Sequence, residues 1–62
     1  MKFEEAIKYL LTPQSRITRE NWRYNLYFCR NTGYLMIRDD RGEISPYTIC
    51  DYDFNYEWDK PE

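Results

Sequence analysis

The sequence has no histidine, two cysteines and two glycines. Each shortage excludes something. With Cys29 and Cys50 as the only thiols and no imidazole, no Cys/His set completes a tetrahedral metal site. A serine or cysteine nucleophile would lack its usual base. Gly33 and Gly42 stand alone, so there is no glycine-rich loop to cradle a phosphate, and no D-x-[DN]-x-[DN]-G calcium loop is present. No metal and no cofactor is expected, with only a carboxylate site for a hard cation left open. No run approaches the ~20 apolar residues of a membrane span. The opening Met1-Lys2-Phe3-Glu4-Glu5 lacks the apolar stretch and cleavage pattern of a signal peptide. The expectation is a cytosolic (cytoplasmic) chain with reduced thiols and no membrane partner. The paired carboxylates Asp39-Asp40 read as a solvated hairpin turn, and Asp51 with Asp53 as capping groups on a solvated face. The sequence therefore points to binding and not to an enzyme.

What is present fits one small domain, 1–62. A chain this short buries only about 60% of the surface its unfolded form exposes. Aromatic residues make up 19% of it, more rings than one small core hides. Tyr, Trp and Phe suit subunit interfaces and flat ligands, so a homo-oligomer is expected. The net charge of −2 argues against direct binding to nucleic acid backbone. The charge is unevenly placed: Arg16, Arg19, Arg23 and Arg30 fall in one stretch against Glu20 alone. Asp51, Asp53, Glu57, Asp59 and Glu62 crowd the tail against Lys60.

Residues 2–11 predict a helix, because Phe3, Ala6, Ile7, Leu10 and Leu11 form one apolar stripe, which Pro13 ends. Residues 15–18 are short and β-prone, and 19–21 read as a turn. Residues 24–30 and 34–38 predict a hairpin, with Leu26 and Phe28 on one face and Tyr27 and Cys29 on the other. Residues 43–45 start a third strand, which Pro46 ends or pushes to a sheet edge. In the tail, Tyr52, Phe54, Tyr56 and Trp58 alternate with polar residues. Thr48 and Asp51 have the spacing of an N-cap and an acidic third helical residue. Together these predict a turn of helix near 48–53, then a strand 54–58. The fold class is α+β: an N-terminal helix packed on a small antiparallel β-sheet of roughly three to five strands.

The stretch Arg16-Ile17-Thr18-Arg19-Glu20-Asn21-Trp22-Arg23-Tyr24 interleaves forked phosphate donors with stacking rings, as a nucleotide site requires. The competing interpretation makes Trp22 a core anchor and pairs the arginines with the acidic tail. Trp58 reads as core, and Tyr47, next to Pro46, is open to both roles.

Several segments in one order carry a resemblance: Phe3-Glu4-Glu5-Ala6-Ile7, Ile17-Thr18-Arg19-Glu20-Asn21-Trp22, Leu26-Tyr27-Phe28, Tyr34-Leu35-Met36-Ile37-Arg38, Asp40-Arg41-Gly42-Glu43-Ile44, Tyr47, and Asp53-Phe54-Asn55-Tyr56-Glu57-Trp58. Over nearly its whole length the chain resembles the small phage Thoeris anti-defence sponge proteins of the second type, a family that also includes an anti-CRISPR protein. The resemblance implies a non-catalytic homo-oligomer that sequesters a cyclic nucleotide immune signal, of the cyclic ADP-ribose type or a cyclic dinucleotide. Asn21 stands where the family usually has Gly, Tyr47 where a Trp is common, and a tight turn joins Phe28 to Tyr34 where relatives often carry an insertion. The motif match carries over Arg19 and Trp22 as ligand-binding residues, and Arg23, Tyr24 and Tyr47 join them on physical grounds. The alternative is an acidic inhibitor that binds a host defence protein directly, with Asp51, Asp53, Glu57 and Asp59 imitating nucleic-acid phosphates. A third reading is a structural module that only self-associates.

Overall fold

The computed structural model describes residues 1–61. Helix α1, Phe3–Leu10, forms where the apolar stripe predicts it and buries Phe3, Ala6 and Leu10. Glu4 and Glu5 lie in its first turn and Lys8 in its last, matching the helix dipole. The end of α1 is held by the chain that follows. The Leu11 and Thr12 amides donate to Lys8 and Tyr9 carbonyls, and the Thr12 hydroxyl donates to Tyr9 O at 2.6 Å. Arg30 Nη2 reaches across to donate to the Leu11 carbonyl at 3.0 Å, placing a cation where helix carbonyls lack partners.

Strands β1 (Asn25–Cys29), β2 (Tyr34–Arg38) and β3 (Ile44–Pro46) form one antiparallel sheet in that order. Leu26 pairs with Ile37 and Phe28 with Leu35, so these four share one face by pleat alternation. Leu26 is fully buried, and Phe28, Leu35 and Ile37 pack on the core beside α1. The opposite face carries Tyr27, Cys29, Tyr34, Met36, Arg38, Ile44 and Pro46 by the same alternation. Both cysteines are free. Pro46, lacking an amide donor, sits on the edge strand, as a proline in a sheet must. The turns need left-handed residues, and Gly33 (φ +78°) and Gly42 (φ +86°) supply them. Among the described residues, no helix is long and apolar enough to cross a membrane.

The tail departs from the strand expected at 54–58. Residues Asp51–Asn55 form a 3₁₀ helix, and the extended segment beyond makes a single bridge, Thr18 to Asp59. The period-2 pattern does not hold in space: Tyr52, Phe54 and Tyr56 are exposed, Asp53 is 1% exposed, and of the four alternating rings Trp58 is the one buried. The cap is also displaced by two residues from Thr48 and Asp51. Cys50 is the N-cap, and Asp53 Oδ2 accepts its amide at 2.9 Å. A buried carboxylate requires donors, and this need outweighs the alternation.

Trp58 closes the core. It is fully buried between Phe3 (5.2 Å between ring centroids) and Trp22 (5.4 Å). Its Nε1 donates to the Asp53 carbonyl at 2.8 Å, and its amide donates to the Met1 carbonyl at 2.7 Å. Trp58→Ala removes the ring that joins helix, tail and turn. The expected cost is about 3–5 kcal/mol, against roughly 3–9 kcal/mol for a whole domain of this length. Urea titration followed by far-ultraviolet circular dichroism checks this; a loss below about 1 kcal/mol would contradict the packing described.

Candidate functional site

Of the five residues expected to bind ligand, Arg19, Trp22 and Tyr47 converge around Asp53. Tyr24 lies at the edge of the group and Arg23 points elsewhere. The local chain explains the convergence. The Ile17–Leu26 and Thr18–Asp59 bridges fix the start of the segment. A turn then closes through the Trp22 amide and the Arg19 carbonyl at 3.1 Å. Asn21 occupies its left-handed position, with φ +62°. Asn is among the few non-glycine residues that tolerate this region, so it fills a place where glycine would also serve. The turn folds the Trp22 ring back under the Arg19 side chain.

The Arg19 guanidinium carbon lies 4.2 Å from the Trp22 ring centroid, 3.9 Å from Tyr56 and 5.0 Å from Trp58. Its Nη1 is 3.6 Å from Asp53 Oδ1, and the arginine side chain is 18% exposed. Nη1 makes no hydrogen bond among the described residues. Ring faces and one carboxylate, rather than hydrogen-bond acceptors, therefore compensate the lost water around that atom. The space between the rings, which the sequence offers to a base, is filled by the protein's own guanidinium.

Asp53 is the anionic centre of this group. Its Oδ1 accepts the Tyr47 hydroxyl at 2.7 Å, and its Oδ2 accepts the Cys50 amide. Burial, then the hydrogen bond to Asp53, pushes the Tyr47 phenol well above the usual tyrosine range. Trp22 meets Tyr24 edge-on at 5.4 Å and Tyr47 at 6.4 Å. Tyr24 is partly exposed, at 38%. Arg23 is exposed and reaches Asp40 at 3.9 Å, a surface pair of little energetic weight. Asp53 was expected on a solvated face and Tyr56 was not among the predicted site residues. The Arg–Trp element on one side and the Asp-x-x-Tyr-x-Trp spacing on the other were visible in the sequence. Their meeting was not.

The acids divide similarly. Asp53 is buried, and Glu57 is paired with the Met1 amine and Lys2, each at 3.2 Å. Of the four acids proposed to imitate phosphates, Asp51 and Asp59 remain exposed without an ion pair among the described residues. Among the arginines, Arg19 and Arg23 have carboxylate partners; Arg16, Arg30, Arg38 and Arg41 have none among the described residues. In the sequence Arg16 opens the basic and aromatic stretch 16–24, Arg30 belongs only to the basic run, and Arg38 ends the segment 34–38; none is among the five expected ligand residues.

No family model, curated protein or solved structure matches this chain.

Two outcomes test the Arg19–Asp53 group. Arg19→Ala leaves a buried carboxylate without its counter-charge and is expected to cost about 3–5 kcal/mol; Arg19→Lys restores charge without the planar stacking and recovers only part of the loss. Chemical denaturation of the two variants reads both. The folded Tyr47 phenol holds its proton more tightly than the unfolded one. Its stabilisation is therefore complete below the ordinary tyrosine range near pH ~10 and declines as pH rises above it. Wild type should lose melting temperature more steeply above that pH than Tyr47→Phe; parallel pH profiles would show that the Asp53–Tyr47 bond does not govern the alkaline limb.

Proposed function

We propose that the chain acts by stoichiometric capture of a small nucleotide signal, of the cyclic ADP-ribose type or a cyclic dinucleotide, and releases it unchanged. In this reading it is a phage anti-defence protein working in the host cytosol, as its resemblance to the sponge family implies, and it assembles as a homo-oligomer. The observation that carries the reading is the distribution of arginine. In a protein of net charge −2, four of six arginines lack a carboxylate partner among the described residues. They share the surface with exposed rings such as Tyr24 and Tyr34. Guanidinium groups without a carboxylate partner keep donors for phosphate oxygens, Arg30 with one donor already on the Leu11 carbonyl, and exposed rings offer faces to a base.

The role given to Arg19, Trp22 and Tyr47 changes accordingly. They support the fold beneath the binding surface, and capture falls to residues outside their group. The energetics set a demand on the assembly. A nanomolar sponge must gather about −12 kcal/mol, while stacking gives ~1–3 kcal/mol per base. Several charge-assisted hydrogen bonds in a partly closed site are needed to make up the rest.

A thermal-shift screen of the full chain against cyclic ADP-ribose isomers, cyclic dinucleotides, ADP-ribose and NAD tests the proposal. Ligand at 100 times its Kd stabilises by about 2.7 kcal/mol, a shift of more than about 10 °C for a domain this small. Mass spectrometry of the released ligand should return it intact. No shift with any of these ligands would overturn capture and direct attention to a host protein target.

A further inference from the structure

Beyond the group around Asp53, one cavity combines the unpaired arginines with aromatic and aliphatic walls. It lies beside β1, between the segment that leaves α1 and the outer face of the sheet, and holds about 410 Å³. Arg16, Arg30 and Arg38 line it, with Tyr27, Phe28 and Ile44 among the apolar contributors. Among the described residues, no acidic side chain lines it. Three elements bring the arginines together. Arg16 immediately precedes the Ile17–Leu26 bridge, Arg30 follows β1, and Arg38 ends β2 opposite Asn25.

The three cations differ in how they are held. Arg30 is fixed by its bond to the Leu11 carbonyl. Arg16 and Arg38 are exposed and have no ion-pair partner among the described residues. Like charges gathered without a counter-ion repel one another, and an anion entering the cavity relieves that repulsion. The cavity volume falls in the range used for small-molecule ligands. Planar guanidinium forks match phosphate oxygens in pairs, and Tyr27, on the outer face of the sheet, lines the same space and offers a ring to a flat base.

We infer that this cavity is the ligand site, and that it takes a single nucleotide bearing phosphate, with Arg16 and Arg38 closing on the phosphate and Arg30 as a fixed wall. The inference rests on the capture reading above but assigns it to residues that the sequence motif did not select. A purely aromatic ligand would leave the three cations unmatched, and a nucleic-acid strand would exceed a cavity of this size.

Isothermal titration of the full chain with ADP, adenosine, inorganic pyrophosphate and a ten-residue oligothymidylate tests it, with the signal nucleotides of the thermal-shift screen as a second set. ADP should bind at least about tenfold more tightly than adenosine, and Arg16→Gln and Arg38→Gln should each weaken ADP by about tenfold, the loss of one charged hydrogen bond. Both substitutions lie on exposed side chains, so the unliganded melting temperature should stay at the wild-type value. Pyrophosphate should compete with ADP, which supports a phosphate-reading site. Equal affinity for ADP and adenosine would overturn the assignment, as would tighter binding of the oligothymidylate than of ADP. If a signal nucleotide binds and both variants bind it as wild type does, capture stands and the cavity assignment fails. If none of the nucleotides binds, both fail.

Discussion

The Asp53 carboxylate, buried beside the Arg19 guanidinium, is the constraint around which the carboxy-terminal half of this protein is arranged. A charge so deep must be compensated on every side. The Tyr47 hydroxyl and Cys50 amide occupy its oxygens, and that requirement turns residues Asp51–Asn55 into a 3₁₀ helix. The helix in turn directs the Asp53 carbonyl to the Trp58 indole. Trp58 then enters the core against Phe3 of α1. One carboxylate thus connects a loop, a helical turn and the packing of the amino-terminal helix.

Arg19 completes the arrangement in an unusual way for a largely buried cation. Its Nη1 has no hydrogen-bond acceptor among the described residues, yet its guanidinium carbon faces the Trp22, Tyr56 and Trp58 rings at 3.9–5.0 Å. The rings supply negative faces in place of water. The same chemistry that makes an Arg–Trp element attractive as a nucleotide site also makes it self-sufficient. Once the tail supplies an acid and two rings, the element is saturated from within the chain. Arginines without a carboxylate partner among the described residues, such as Arg16 and Arg38, have no such internal compensation.

Much of the fold was legible in sequence because its signals were local. The apolar stripe of α1, the hairpin from Asn25 to Arg38, the glycine turns and the edge position of Pro46 follow from periodicity and backbone chemistry within a few residues. The burial of Trp58 was legible as well. The tail was misread because alternation assumes that rings go inward and acids outward. At Asp53 the opposite holds, since Tyr47, Cys50 and Arg19, three to thirty-four positions away, make its burial favourable.

Sequence alone determined that this chain is a small α+β domain without the residues of a Cys/His metal site or a histidine-assisted nucleophile, and that its arginines and aromatics are its distinctive chemistry. Those properties depend on composition and short-range order. Tertiary structure decided which arginines are neutralised and which are left over. Arg19 and Arg23 find carboxylates 34 and 17 residues away, while Arg16, Arg30 and Arg38 are gathered by sheet pairing around a cavity that no acidic side chain lines among the described residues. Pairing of charges depends on distance in space, and in a chain folded back on itself that distance is not written in the order of the residues.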